Sequence, residues 1–327
     1  MSVEGGTKAV VAALLANAGI AVMKLAAWGL TGAASMLAEA IHSVADAGNQ
    51  ALLLIGGKRS RREATEEHPF GFGRERYIYA FIVSIVLFSL GGLFALYEAY
   101  HKWHEIHDGE GGGLLDSDFK WVPLVVVGAA IVMESLSFRT AIIETNKVRG
   151  DHGWLAFIRK AKAPELPVVL LEDFAALVGL AVAFVSVSLA LITHNEYFDV
   201  VGAATIGVLL VVVATTLAIE VKSLLIGEAA SKESIARIRS AVEGTAGVGQ
   251  IVHMKTLHIA PEELLVALKI GVDQHVLSEE SAAIIDAIES NIREREPMAT
   301  HVYVEPDIYR PDYVPAQRPE PPSAPSH

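Results

Sequence analysis

Long apolar segments constrain this chain more than any other feature of its sequence. A helix needs about 20 mostly apolar residues to cross roughly 30 Å of hydrocarbon. We therefore predict that residues 1–227 form a membrane all-α bundle of six transmembrane helices. The six predicted spans are Ala9–Leu30, Ala34–Gly56, Tyr77–Tyr100, Trp121–Ile143, Leu166–Ile192 and Val200–Ile219.

The charges between the predicted spans indicate how the bundle is oriented. Basic residues are concentrated after the second and fourth spans, whereas the loop after the third is acidic and Thr193–Tyr197 holds no Lys or Arg. Lys and Arg are retained on the cytoplasmic side of a membrane. We expect both termini to be cytoplasmic, in a multi-pass protein of a cell inner membrane; an organellar membrane is the alternative. The basic loop residues are Lys58, Arg59, Arg61, Arg62, Arg74, Arg76, Lys147, Arg149, Arg159, Lys160 and Lys162.

Residues 228–306 change to the pattern of a soluble domain. Two segments have helical apolar spacing and three have the character of strands, in the order αββαβ. We predict a small α+β cytoplasmic domain, which gains a larger core by pairing with a second copy. Residues 307–327 are rich in proline and predicted to be disordered. The predicted elements are Ser231–Val242, Val248–Ile259, Leu264–Val272, Ser278–Arg293 and Thr300–Glu305.

Composition excludes several classes of site. The chain has no cysteine, so any metal must be held by His nitrogen and carboxylate oxygen. Its net charge of −12 argues against a nucleic-acid partner. An intramembrane metalloprotease would need a pattern such as H-E-x-x-H, which is absent, and we expect no enzyme activity.

Ionisable residues inside the predicted spans are the candidate functional groups, because each is costly to place in a membrane. His42 and Asp46 are four residues apart and therefore lie on one helix face. An imidazole and a carboxylate in that arrangement can share a divalent ion. The alternative is a polar pair that is satisfied between two helices.

The fifth span adds Glu172 and Asp173, and the fourth adds Glu134. Adjacent residues point about 100° apart on a helix, so Glu172 and Asp173 should not both face one ion squarely. The depths of Asp46 and Asp173 allow them to meet near the midplane. Such a site suits Zn²⁺, but Mn²⁺, Fe²⁺ or Co²⁺ would also fit it. For Glu134 we expect a hydrogen bond to Ser135, Ser137 or Asn17, with a proton-handling role as the alternative; Asn17 and Asn49 should be interhelical hydrogen-bond partners.

Several segments together resemble the cation diffusion facilitator family. They are SMLAEAIHSVADAGNQ in the second span, HPFGFGRERY after a basic loop, and VYVEP at the end of the αββαβ domain. The segment LLEDFAALVG is most similar to the branch containing the mitochondrial and nuclear-type zinc transporters. The resemblance covers about residues 8–306.

The resemblance implies a homodimer that exports Zn²⁺ or a related ion from the cytoplasm in exchange for protons, with the metal as cargo and no resident cofactor. It implies metal ligands at His42, Asp46 and Asp173. The remaining ligand position of the family pattern is occupied here by Val169, and Glu172 is the candidate replacement.

Further family metal positions are only partly retained. His68 matches a loop ligand, but Phe72 stands where a second histidine is usual. His253 and Glu305 match positions in the cytoplasmic domain, whereas Tyr303 replaces a histidine there. A solvated helix end explains His101, His104 and His107 better than a metal site does.

Two other membrane functions, a channel and a scaffold, explain the polar residues of the spans less well. A channel needs a continuous polar path, whereas the spans carry polar groups at one depth. A non-transporting scaffold remains the alternative, although it would have no need for several buried ionisable groups at one level.

Overall fold

The computed structural model describes residues 3–31, 34–108, 121–151 and 153–308, and they form two compact units. The first comprises the residues up to Glu228 together with His258–Glu262, and the second comprises Ala229–Leu257 and the residues from Glu263. Residues 309–327, which include most of the tail predicted to be disordered, lie outside the described residues.

The first unit is a helical bundle. Its long helices are α1 (Val3–Thr31), α2 (Ala34–Arg59), α3 (Glu75–Val86), α4 (Phe94–His107), α5 (Val122–Val148), α7 (Glu165–Thr193) and α8 (Tyr197–Ile226). A π-helical segment, Leu87–Leu93, joins α3 to α4, so that the two form one continuous span. The short helix α6 (Trp154–Lys160) lies in the loop before α7 and was not predicted.

Five helical segments in the described part of the chain are long and apolar enough to cross a membrane: Gly6–Ala27, Glu75–His107, Val122–Val148, Glu165–Thr193 and Tyr197–Ile226. The remaining predicted span is the second in chain order and corresponds to α2. This helix has 26 residues and packs against α1 and α3. It is less apolar because it carries His42, Asp46, Asn49 and Gln50 along its length. The helix that supplies two of the four candidate ligands is thus the least apolar of the six.

Two glycines of the π-helical segment lie close to α8 and to α2. A Cβ atom added to Gly92 would lie 2.7 Å from Val211 Cγ2 of α8, and one added to Gly91 would lie 3.5 Å from His42 Cε1. Because neither glycine has a side chain, the π-helical segment lies close to α8 and to His42. π-helical turns are frequent at functional sites.

The second unit has the predicted αββαβ order. Helix α9 (Lys232–Glu243) precedes β1 (Gln250–Ala260) and β2 (Glu263–Val272), and α10 (Ser278–Arg295) precedes β3 (His301–Ile308). The sheet order is β1-β2-β3, with β2 and β3 parallel. Ile238 of α9 and Ile288 and Ile292 of α10 pack with Leu264, Val266 and Ile270 of β2 in one core. The predicted helices and strands of this unit are confirmed to within a few residues.

Candidate metal centre

Helix α2 places the first candidate pair on one face. His42 Nε2 lies 3.6 Å from Asp46 Oδ2, one helical turn away, and both side chains are partly exposed to an internal cavity. This is the arrangement that their spacing predicts. An imidazole and a carboxylate held in this way can serve as one nitrogen and one oxygen ligand of a divalent ion.

Side chains from the next turn of α2 donate hydrogen bonds to Glu172 of α7. Asn49 Nδ2 donates a hydrogen bond of 3.1 Å to Glu172 Oε1, and Gln50 Nε2 donates one of 2.6 Å to Glu172 Oε2. The prediction that Asn49 is an interhelical partner is confirmed. Gln50, which is fully buried, was missed, although its place one turn after Asp46 put it on the same face.

Asp173 points in a different direction from its neighbour. Ser137 of α5 donates a hydrogen bond of 2.7 Å to Asp173 Oδ2. The Asp173 side chain is 0% exposed, and no group among the described residues donates a hydrogen bond to its Oδ1 atom. The two consecutive carboxylates of α7 therefore serve different helices, Glu172 facing α2 and Asp173 facing α5.

Glu134 lies beside Asp173. Of the three partners expected for Glu134, two bind elsewhere, because Ser135 Oγ donates to the Ile131 carbonyl at 2.6 Å and Ser137 donates to Asp173. The third, Asn17, lines the same cavity as Glu134. The carboxyl group of Glu134 is instead within hydrogen-bonding reach of the Asp173 carboxyl group. A helical turn separates Glu134 from Ser137, so one face of α5 presents both to Asp173.

A cavity of about 200 Å³ joins most of these groups. His42, Asp46, Glu134 and Glu172 all line it, whereas Asp173 is not among the lining residues. Asp46 interacts electrostatically with Glu134, Glu172 and Asp173. Within the described ranges, no three His, Asp or Glu side chains are close enough to hold one ion as they stand. Coordination of one ion by three of them would require side chains around this cavity to change rotamer.

The cavity leads toward the end of the bundle where α4 ends and α8 begins. There it is lined by Lys24, Glu98, Lys102 and Asp199. Lys102 Nζ lies 3.2 Å from Asp199 Oδ2 and 3.7 Å from Glu98 Oε1. At the opposite end, where α3 and α7 begin, a buried ion pair joins Arg76 to Glu165, and Arg76 Nη2 donates to Glu165 Oε2 at 2.8 Å.

The loop histidine His68 stands apart from this centre. Its ring stacks on Phe72, with 4.7 Å between ring centroids, and the Arg62 guanidinium lies 4.3 Å from the centroid of the same phenyl ring. Phe72, which replaces the second histidine of the family pattern, thus fills this loop with an aromatic stack.

The C-terminal positions do not converge within one chain. His253 lies on β1 and Glu305 on β3, at opposite edges of the sheet with β2 between them. Strands two places apart are separated by roughly 10 Å, which is too far for one ion. Glu305 instead pairs with Lys269 of β2, at 3.0 Å.

The histidines at the end of α4 interact within their own helix. His101 Nδ1 lies 3.2 Å from Glu105 Oε1, His104 Nε2 lies 2.7 Å from the Tyr100 hydroxyl, and the His107 ring stacks on Trp103. These exposed contacts support the interpretation of a solvated helix end.

Comparison with known proteins identifies both units. Residues 10–226 match the family described as cation efflux transmembrane domain, and residues 230–309 match the cation efflux protein cytoplasmic domain. A proton-coupled zinc antiporter of Xenopus laevis, SLC30A9, mitochondrial, is 30% identical over 85% of this chain and 49% of its own length. Metal tolerance protein C4 of Arabidopsis thaliana is 29% identical over 78% of this chain and 54% of its own length. The magnetosome protein MamM of Paramagnetospirillum magneticum is 30% identical over 41% of this chain and 40% of its own length. The chain spans about half the length of the SLC30A9 relative.

Proposed function

Because the chain belongs to the cation efflux family, as its matches over residues 10–226 and 230–309 show, we propose that it is a secondary transporter that exports divalent metal ions from the cytoplasm in exchange for protons. The observation that carries the proposal is the cavity inside the bundle, which an imidazole and several carboxyl groups line at one level. A membrane scaffold has no need of such groups, which are costly to bury.

Zinc is the first ion to test. Among the relatives, the Xenopus laevis protein is named a proton-coupled zinc antiporter. The ligand set proposed here, His42, Asp46 and Asp173, contains one nitrogen donor and otherwise oxygen donors, and Glu172 lines the same cavity. Zn²⁺ accepts such a set, but so do Mn²⁺, Fe²⁺ and Co²⁺, because carboxylate-rich sites discriminate weakly among these ions.

Proton exchange follows from the chemistry of these ligands. A metal binds neutral imidazole and ionised carboxylate, so its arrival displaces protons. When the metal leaves, a buried group of carboxylates without a cation is unfavourable. The empty site therefore takes up protons before the protein changes the side of the membrane to which the site is open. Two conformations that expose the site alternately would thereby exchange metal for protons.

The orientation proposed from the loop charges places both termini in the cytoplasm. The C-terminal unit would then be cytoplasmic and would pair with a second copy to form a homodimer. We propose the inner membrane of a cell as the location, with an organellar membrane as the alternative, since the Xenopus laevis relative is named mitochondrial. Protease protection of tags at each terminus tests the orientation, and light scattering of the purified protein tests the dimer.

Transport by the full chain in proteoliposomes tests the proposal. We expect Zn²⁺ uptake that depends on a pH gradient and is abolished by His42→Ala or Asp46→Ala, while both variants still insert and dimerise. Matched controls are His275→Ala and Glu243→Ala, which remove an exposed imidazole and an exposed carboxylate from the C-terminal unit. Transport by Asp46→Ala at the wild-type rate would reject the assigned site. An absence of metal-dependent proton flux for all divalent ions would favour the scaffold.

A further inference from the structure

We propose that Glu134 of α5 is the fourth ligand of the transported metal ion, in the role that Val169 leaves vacant on α7. This inference rests on the proposed function, because it concerns the same ion. Val169 is one turn before Asp173 and has only a buried apolar side chain to offer. The fourth donor must therefore come from elsewhere on the cavity wall.

Glu172 is a poor source of that donor because its carboxylate already has partners. Both of its oxygens accept hydrogen bonds, from Asn49 and from Gln50. The amide oxygens of Asn49 and Gln50 are buried and have no partner among the described residues. Withdrawing Glu172 would leave their NH₂ groups unpaired as well, and a buried donor without a partner is unfavourable. Glu172 is better described as the acceptor that fixes the orientation of α2 relative to α7.

Glu134 has the properties that Glu172 lacks. It is 2% exposed and lines the cavity together with His42 and Asp46. Its neighbour is the Asp173 carboxyl group, whose Oδ1 atom receives no hydrogen bond from any donor in the described ranges. Two buried carboxyl groups side by side bring several acceptor oxygens together, and a divalent cation can bind such oxygens.

The four side chains come from three helices, and three of the four line one cavity. His42 and Asp46 approach from α2, Glu134 from α5 and Asp173 from α7. Asp46 interacts electrostatically with both Glu134 and Asp173, so the α2 pair and the α5–α7 pair already lie within range of each other's charge. Rotamer changes that bring the two pairs onto one ion would give one nitrogen and three carboxylate donors. Three oxygens move the preference toward Mn²⁺, Fe²⁺ and Co²⁺ relative to a site with a second histidine.

Metal binding by the full chain in detergent tests this assignment. The variants are Glu134→Gln, which keeps the size of the side chain, and Glu172→Gln, with Asp46→Ala as the reference for loss of the site. Glu144→Gln is the matched control, a buried carboxylate on the same helix ten residues away. Affinities for Zn²⁺ and Co²⁺ are measured by calorimetry, and the ligand-field absorption of bound Co²⁺ reports the donor set.

We expect Glu134→Gln to weaken binding of both ions by at least about tenfold, since even a partner of a metal ligand is worth that much. It should also change the Co²⁺ spectrum, and Glu172→Gln should weaken binding less. Should Glu134→Gln aggregate, Glu134→Asp keeps the carboxylate one methylene shorter and should alter the Co²⁺ spectrum while retaining binding.

The outcomes separate this inference from the proposed function. If Asp46→Ala abolishes binding while Glu134→Gln binds with wild-type affinity and spectrum, Glu134 is not a ligand, and the transporter proposal stands. A larger loss in Glu172→Gln than in Glu134→Gln would assign the fourth position to Glu172. Wild-type affinity in Asp46→Ala would overturn the proposed site together with this inference.

Discussion

Removing one partner of the Arg76–Glu165 ion pair should strongly destabilise the helical bundle. Both side chains are only 9% exposed, and the guanidinium contacts both carboxylate oxygens, with Nη2 2.8 Å from Oε2. Breaking a buried pair from one side costs about 3–5 kcal/mol, because the remaining charge stays buried without compensation. We therefore expect Glu165→Ala and Arg76→Ala each to lower the free energy of unfolding by about that amount.

The double variant distinguishes this mechanism from a loss of packing. Without either charge, no uncompensated ion remains, so Arg76→Ala combined with Glu165→Ala should cost clearly less than the sum of the two single variants. Unfolding of the full chain is followed by circular dichroism in mixed detergent micelles. The control is Arg293→Ala, which removes an exposed pair with Glu289 of the same 2.8 Å length.

The control should lose only about 0.3–0.5 kcal/mol, as exposed pairs one helical turn apart do. The reasoning is refuted if Glu165→Ala costs no more than Arg293→Ala, or if the two single variants are additive. The first result would mean that water reaches the Arg76 guanidinium once its partner is gone, and the second would mean that the cost is a loss of packing.

Three further changes test other features of the chain. Val169→His, which adds an imidazole one turn before Asp173, should raise the affinity for Zn²⁺ in calorimetry; unchanged affinity would mean that position 169 does not face the ion. Ser231→Ala removes the hydroxyl that accepts a hydrogen bond of 3.0 Å from the Ser234 backbone amide at the start of α9, and should cost about 1 kcal/mol in chemical unfolding, whereas Ser231→Asp should not. Burial would raise the pKa of Glu228, but hydrogen bonds from Lys162 and Ser223 together with nearby positive charge outweigh it and lower that pKa below the ordinary 4.5. Glu228 therefore contributes stability above pH 4.5 that is lost as the pH falls through its lowered pKa, and Lys162→Ala should reduce this acid-side dependence; an identical pH profile of unfolding would contradict the assignment.

The helices and strands were predictable because they depend on local patterns. Hydropathy located the membrane helices, and apolar spacing located α9, α10 and the three strands to within a few residues. The spacing of His42 and Asp46 was enough to place them on one face of α2, since residues four apart in a helix always are. The π-helical segment Leu87–Leu93 and the short helix α6 were not predicted, because neither has a periodicity of its own.

Which polar groups meet across helices was decided by packing. Glu172 is bound to Asn49 and Gln50, more than 120 residues away in sequence, and Arg76 is bound to Glu165, 89 residues away. No local pattern specifies such a pair.

The sequence by itself determined that several costly carboxyl groups and one imidazole lie inside the membrane bundle. It also determined that a ligand of the family pattern is missing at Val169. Only the tertiary structure decided which partner each of these groups has. Glu172 faces the amides of α2, whereas Asp173 faces Glu134 and Ser137 of α5. The physical reason is that helix propensity and hydropathy act within a helix, whereas the partner of each buried charge depends on how the helices are rotated and packed against one another.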